Sequence, residues 1–376
     1  MTRYPFTAIK EKLIQRQGRA LDFAVGRQSV PLPETIDGWI QANAGEALLP
    51  AGRDELDEFA HAASAFLARE YRADVPASRI LPTPGGRAAM SAFIACVLRP
   101  GDKVLVTEPG YPAFARLATN RHAEVLVSFL DPENAFAPQL ASIAEADNGP
   151  IRVIAVNYPN NPTGARLSSD VVSKLGEIAA ASTILFNDAT YGPLVYDEAP
   201  GSLLGNGTSE ASRSEMVELH SFSKLFPLGP VAVSFLAGSE ETMQSVSTYS
   251  EFVWSPLSKL QLKVTTMCLQ DEARLQELRE FFPAQLRALR QTLIGAGFEP
   301  YPTPAGVYTI CPVPARIAGK IVASADEAAH RLMNEFDLAV FPLDTTRHSY
   351  LRFSSLYHAE DLERLSRLGP ALGLEH

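Results

Sequence analysis

Six short apolar runs, rich in β-branched residues and separated by segments of helical period, constrain this 376-residue chain more than any other feature. They are KVLVTEP (103–109), EVLVSFL (124–130), RVIAVNYP (152–159), TILFNDAT (183–190), VELHSFS (217–223) and VAVSFLAG (231–238). Several are nearly continuous in hydrophobicity rather than alternating, which is the pattern of strands covered on both faces in a largely parallel sheet. The segment LSSDVVSKLGEIAAAS (167–182) has the length and period of a crossover helix. Upstream, apolar spacing predicts a helix over Asp54–Tyr71, and the turn PTPGGRAAM (82–90) leads into another that ends at Arg99-Pro100-Gly101. Alternating strands and helices of this kind make a layered α/β domain, whose ligands collect beyond the carboxyl ends of the strands.

After the last of these runs the pattern changes. Leu275, Leu278, Phe282, Leu286, Leu289 and Leu293 trace one face of a long helix that ends at Gly295-Ala296-Gly297, with a kink expected at Pro283. Residues 298–376 then mix short strands with two helices, as a smaller α+β domain does. The expected organisation is an N-terminal segment over 1–40, a large α/β domain over 41–275 and a small domain over 276–376. The closing Leu374-Glu375-His376 resembles the start of an expression tag.

Composition narrows the functions open to such a chain. It is 46% hydrophobic and 20% charged, with a formal net charge of −10, so general binding to nucleic acid or to an anionic membrane is not expected. An anionic ligand would need a local cationic pocket. No apolar run approaches the roughly 20 residues that span a bilayer, and the N-terminus has no continuous apolar core of a signal peptide. Cys96, Cys268 and Cys311 are odd in number and far apart, neither a disulfide framework nor a zinc set; a reducing cytoplasm is the expected compartment.

The polar residues of interest sit where strands end. Asn157-Tyr158-Pro159-Asn160-Asn161-Pro162-Thr163-Gly164 follows the run RVIAV, and two X-Pro steps with a terminal glycine impose a tight loop. Asp188 closes TILFND in an apolar setting, where a carboxylate needs a cation or strong donors. Lys224 follows VELHSFS. Each alone reads as a turn, a cap and a solvated lysine. Together they suggest a carbonyl-attacking amine beside a carboxylate able to hold a protonated pyridine nitrogen.

GGRAA (85–89), EPGYPAF (108–114), YPNNPTG (158–164), NDATY (187–191), SFSK (221–224) and LRFSS (351–355), in this order and spacing, resemble the fold-type I pyridoxal-phosphate enzymes of the class I/II aminotransferase family, over about residues 20–370. The resemblance implies a mostly parallel seven-stranded sheet flanked by helices, with a smaller α+β C-terminal domain. It implies pyridoxal 5′-phosphate as cofactor and amino-group transfer from an amino acid to a 2-oxo acid; the departures from the family described below point to a specialised biosynthetic role. Elimination, substitution, decarboxylation or oxidation on an amino acid would use the same residues. It further implies a cytoplasmic homodimer, with a small-molecule amino acid and 2-oxo acid as partners.

The resemblance also implies roles. Lys224 would be the Schiff-base lysine and proton shuttle, Asp188 the partner of the ring nitrogen, and Asn161 and Tyr191 donors to the ring oxygen. Tyr111 would stack on the ring. Gly85, Gly86 and Arg87, at a helix start, would hold the phosphate with Ser221 and Ser223. Arg352 would grip the substrate carboxylate bidentately, with Gly26 nearby.

Two expected phosphate ligands are missing. Ala232 stands where members carry an arginine eight residues after the lysine, and Ala47 where a partner-subunit tyrosine is usual. Arg87, at a position where a small or hydroxyl residue is common, is expected to supply the displaced charge.

Overall fold

The computed structural model describes residues 5–16, 18–25, 30–139, 150–178, 183–196, 198–205, 216–226, 228, 231 and 233–376. By contact density the chain forms two compact units. One comprises Met1–Ser29, Asn161–Gly164 and Glu280–His376; the other comprises Val30–Asn160 and Ala165–Arg279.

The smaller unit takes in the helix Pro5–Gln15 and a two-residue strand, β1 (Leu21–Asp22). The larger unit is organised on one seven-stranded sheet. Its strands are β2 (Ile80–Thr83), β3 (Lys103–Glu108), β4 (Glu124–Phe129), β5 (Ile151–Val156), β6 (Ile184–Asp188), β7 (Met216–Ser221) and β8 (Ser234–Ala237), in the spatial order β2-β8-β7-β6-β5-β3-β4. β3 to β7 pair in parallel, and β8 runs antiparallel to both its neighbours, β2 and β7.

The six runs read from the sequence are all strands of this sheet; β2 is the addition. It is only four residues long and contains Pro82. Proline donates no ladder hydrogen bond and is confined to edges, and β2 is an edge strand. The continuous hydrophobicity of the central runs has its cause here: every residue of β6, β7 and β8 is buried.

One face of the sheet packs against the helix Gly86–Val97. Ala89, Met90, Phe93 and Ile94 meet Val104, Val153, Phe186, Val217, Leu219 and Leu236 in one cluster. Phe186 holds its centre, with the Phe93 and Phe114 rings each 4.9 Å away. Along β7 the side chains alternate. Val217 and Leu219 go to this cluster. Glu218 and His220 take the other face, where His220 stacks on Phe235 at 4.9 Å and meets the edge of Tyr71 at 5.0 Å.

The long helix Glu272–Gly295 is assigned without a break through Pro283. In the smaller unit, β9 (Tyr308–Pro312) is followed by the hairpin of β10 (Arg316–Ile317) and β11 (Lys320–Ile321), the helix Ala325–Phe336, β12 (Leu338–Ala339), β13 (Phe341–Asp344), β14 (Ser349–Ser354) and the helix Ala359–Leu372. β13, β14 and β9 form an antiparallel sheet with β14 in the middle. β1 pairs in parallel with β12, so Leu21 and Phe23 join Leu289, Leu293, Leu332, Leu351 and Phe353 in this unit's core.

Candidate active site

In the larger unit the site residues lie at the carboxyl ends of the strands. β6 ends at Asp188, which is 6% exposed. Its Oδ1 accepts from the Thr190 amide at 3.1 Å and the Thr190 hydroxyl at 2.5 Å, and its backbone carbonyl accepts from Asn157 Nδ2 at 2.7 Å. Burial pushes the Asp188 pKa above the ordinary carboxylate value, against the Thr190 bonds and the charges of His220 and Lys224, which favour the anion. A carboxylate in that balance is suited to a further cation.

Asp188 lines a small open cleft with Asn157, Tyr111, Thr107, Met90 and Ala155, among others. Tyr111 enters it from the Glu108–Tyr111 turn, so the structure brings Asp188 and Tyr111 to one cavity. Lys224, partly buried after β7, acts on Asp188 through its charge. Tyr191 is buried at the head of the short turn Gly192–Leu194, three residues beyond Asp188.

The remaining predicted residues gather at the edge of the same sheet end. Gly85 caps the helix Gly86–Val97 with φ 102°, a conformation that disfavours any side chain. A Cβ on Gly86 would stand 3.3 Å from Leu219 Cδ2 and 3.8 Å from Ser234 Oγ. Ser234 pairs in register with Thr83 and with Ser221. Ser221 Oγ lies 3.1 Å from Ser223 Oγ. A row of hydroxyls thus runs beside the first turn of this helix, and Ser234 Oγ is buried without a hydrogen-bond partner among the described residues. Helix-terminal N–H groups with hydroxyls alongside are a donor set for a phosphate dianion. Arg87 is exposed in that first turn. Ala47 is buried, its carbonyl accepting from the Leu260 amide. Ala232 and Gly26 lie outside the described residues.

In the smaller unit Arg352 occupies the middle of β14. Leu351 and Phe353 point into the core, so Arg352 faces the other way. It is nevertheless 8% exposed, because its guanidinium lies between two rings, 4.1 Å from the Tyr308 centroid and 4.3 Å from that of Phe341. Phe341 is its direct cross-strand partner. Nη1 donates to Asn161 Oδ1 at 3.2 Å and Nη2 to the Ala24 carbonyl at 3.1 Å; Nε has no partner. No carboxylate among the described residues pairs with Arg352, so a buried cation retains donors for an external one.

Asn161, buried, thereby has its side-chain oxygen turned to Arg352. Its loop is fixed by Gly164, at φ 73°, where a Cβ would fall 2.6 Å from the Ala305 carbonyl oxygen.

The sequence marks Asn157 only as part of the loop after RVIAV and assigns no role to Thr190 or His220. Asn157 and Thr190 were visible as polar residues flanking strand ends. His220 sits in the run VELHSFS, where nothing sets it apart from the other strand residues. It is buried beside Glu218, 3.3 Å from Oε2. Burial works against ionisation of Glu218, yet His220, the Ser202 hydroxyl and the Leu203 amide hold its carboxyl below the usual range.

These donors fit pyridoxal phosphate: a buried carboxylate for the ring nitrogen, a tyrosine at the same cleft, hydroxyls and a helix start for the phosphate, and a lysine whose charge reaches the carboxylate.

Comparison with known proteins agrees. The family model "Aminotransferase class I and II" matches residues 21–367. The LL-diaminopimelate aminotransferase of Methanocaldococcus jannaschii is 30% identical over 288 residues, 76% of this chain and 68% of that one. The transaminase BacF of Bacillus subtilis is 33% identical over 195 residues, 51% of this chain and 48% of that one. Among solved structures, substrate-bound BacF superposes with a TM-score of 0.86 at 22% identity, covering 98% of this chain and 95% of that one. The N-succinyldiaminopimelate aminotransferase of Mycobacterium tuberculosis gives 0.86 at 22% identity, over 99% and 100%. At that identity the likeness is one of fold. The seven-stranded α/β architecture and the match over nearly the whole chain lead to one assignment: this protein belongs to the class I and II aminotransferases, pyridoxal-phosphate-dependent transferases of fold type I.

Proposed function

We propose that the residues described above carry an amino-group transfer from an amino acid to a 2-oxo acid in the following way. Bound pyridoxal phosphate supplies the electron sink that allows the Cα–H bond of an amino acid to break. Asp188 holds the ring nitrogen protonated, and Tyr111 covers the ring. Gly85, Gly86, Ser221 and Ser223 bind the phosphate, with Arg87 as the nearby cation. Asn161 and Tyr191 donate to the ring oxygen. Lys224 would hold the cofactor through its amine, and its Nζ, when free, would take up the proton released at the substrate Cα. Arg352 binds the α-carboxylate.

The observation that carries this reading is the buried Asp188, raised in pKa by burial and lining one cleft with Tyr111. Its test is spectral. The purified protein should show a visible cofactor band that borohydride bleaches and that Lys224→Ala lacks. Titration with a panel of L-amino acids, with mass spectrometry of the products, should yield a 2-oxo acid from the donor. A colourless protein indifferent to added pyridoxal phosphate would end the proposal.

The same proposal includes a cytoplasmic homodimer serving a specialised biosynthetic step. Support for the dimer comes from apolar side chains on the larger unit's surface. Leu48 is 80% exposed and Phe252 84%, with Leu49, Tyr249 and Val253 also exposed. The two segments that carry them are tied together by the pairing of Pro50 with Ser258 and the Lys259–Leu49 backbone bond. Clustered exposed apolar groups are the mark of an interaction surface. The cysteine thiols are unpaired, which suits a reducing compartment, and no described helix is long and apolar enough to cross a membrane. The specialised role draws on the relatives named for diaminopimelate and BacF and on the departures at Ala47, Arg87 and Ala232.

A further inference from the structure

The chain just before residue 26 is held by a carboxylate that neither the motifs nor the roles above have used. Asp22 is 5% exposed. Its Oδ1 accepts the backbone N–H of Ala24 at 3.1 Å and of Val25 at 2.9 Å, so one oxygen closes a turn two and three residues downstream. The residues on either side of Asp22 are anchored. Leu21 and Asp22 pair with Leu338 and Ala339 in β12, the Phe23 amide donates to the Ala339 carbonyl at 3.0 Å, and the Ser354 amide donates to the Phe23 carbonyl at 2.7 Å. Phe23 is fully buried in the core of the smaller unit. The strand is therefore fixed as far as Phe23, and the Asp22 turn decides where the next carbonyl goes.

That next carbonyl is Ala24, and it accepts from Arg352 Nη2. Arg352 is confined by the rings of Tyr308 and Phe341, whose centroids lie 4.1 and 4.3 Å from its Cζ. Rotation within the plane is limited by two acceptors, Asn161 Oδ1 and Ala24 O. One of the two in-plane stops is thus set by Asp22. A carboxylate buried next to apolar Leu21 and Phe23 carries a desolvation cost, which the two amide bonds and the precision of the turn offset.

We propose that Asp22 is a positioning residue for recognition of the substrate carboxylate: it fixes the Ala24 carbonyl, and that carbonyl sets the in-plane orientation of the Arg352 guanidinium. The proposal rests on the reading of Arg352 as the carboxylate-binding residue. Bidentate recognition needs both oxygens in the guanidinium plane, so a guanidinium free to swing loses affinity for the carboxylate, while the cofactor, held by other residues, is bound as before.

The test uses cofactor-loaded protein and L-alanine, a probe whose recognition groups are the α-carboxylate and α-amino group alone. Its binding is read from the change in cofactor absorbance, and cofactor dissociation is measured in parallel. Asp22→Ala should weaken L-alanine binding about tenfold, the effect of losing one hydrogen bond to a charged group. Cofactor affinity should stay within about threefold of wild type. Asp22→Asn keeps an acceptor oxygen for the same amides and should restore binding to within about threefold. Arg352→Ala should abolish measurable binding. Should Asp22→Ala fail to fold, Asp22→Ser replaces it, and a loss of L-alanine affinity without loss of cofactor affinity is again expected. Wild-type L-alanine affinity in Asp22→Ala or Asp22→Ser, while Arg352→Ala is defective, overturns the positioning role and leaves Arg352 intact. Wild-type affinity in Arg352→Ala overturns the carboxylate reading and the proposal with it.

Discussion

Arg352→Lys keeps the positive charge and removes the fork, and its effect can be worked from the contacts of the native side chain. A guanidinium has five N–H donors; here one goes to Asn161 and one to Ala24, leaving three, including Nε, for a carboxylate. An ammonium has three donors on one atom. If it serves the same two internal acceptors it has one left, so one charge-assisted bond to the substrate is lost. Such a bond is worth about 1.5–3 kcal/mol, a factor of roughly 10–150 in affinity. The flat packing between Tyr308 and Phe341 is lost as well, since a compact ammonium cannot fill a slot shaped for a planar group. The assay is the concentration dependence of the amino-acid half-reaction, followed in the cofactor absorbance, with the limiting rate and half-saturation concentration fitted separately. Arg352→Lys should raise half-saturation within that range and leave cofactor affinity unchanged. An increase below threefold would refute the donor-counting argument, because it would mean that the carboxylate never used the fork.

Asp188→Asn tests the buried carboxylate. Because burial raises its pKa, the folded protein without cofactor binds that proton more tightly than the unfolded chain does. The ionised side chain therefore costs stability increasingly as pH rises through the folded value. By calorimetry, Asp188→Asn apoprotein should gain on wild type as pH rises, while its cofactor affinity falls; equal stability at every pH would contradict the burial argument. Gly164→Ala places a Cβ 2.6 Å from the Ala305 oxygen and 2.7 Å from Thr303 Cγ2 at φ 73°. It should cost about 2–4 kcal/mol in urea unfolding. On the proposed dimer, wild type should sediment as a dimer and Phe252→Glu combined with Leu48→Glu, at side chains 84% and 80% exposed, as a monomer; the same sedimentation coefficient for both would contradict a subunit contact at this surface.

The sheet was legible because burial on both faces leaves a local record: β6, β7 and β8 are buried along their whole length and carry short apolar, β-branched or aromatic cores. β2 was not legible, since four residues with a proline carry no such record and owe their place to β8 alongside. The helices Pro5–Gln15 and Glu34–Ala42 were missed for a related reason, being short and only partly buried. Lys224, Asp188 and Asn161 could be picked out because each follows or closes an apolar run, whereas His220 acts on Asp188 only once β6 and β7 lie side by side. The aromatic slot around Arg352 depends on cross-strand register between β13 and β14 and on the close approach of Tyr308, which no spacing in one chain announces.

The Ala24–Arg352 bond joins residues 328 positions apart. Every strand of the large sheet has been synthesised by Ala237, so that unit can acquire its ladders while the ribosome is still translating. β1 has no partner until β12 emerges. Birth order thus separates the residues proposed for the site: Lys224 and Asp188 can be in place early, and Arg352 meets Ala24 last, when the far end of the message has been read.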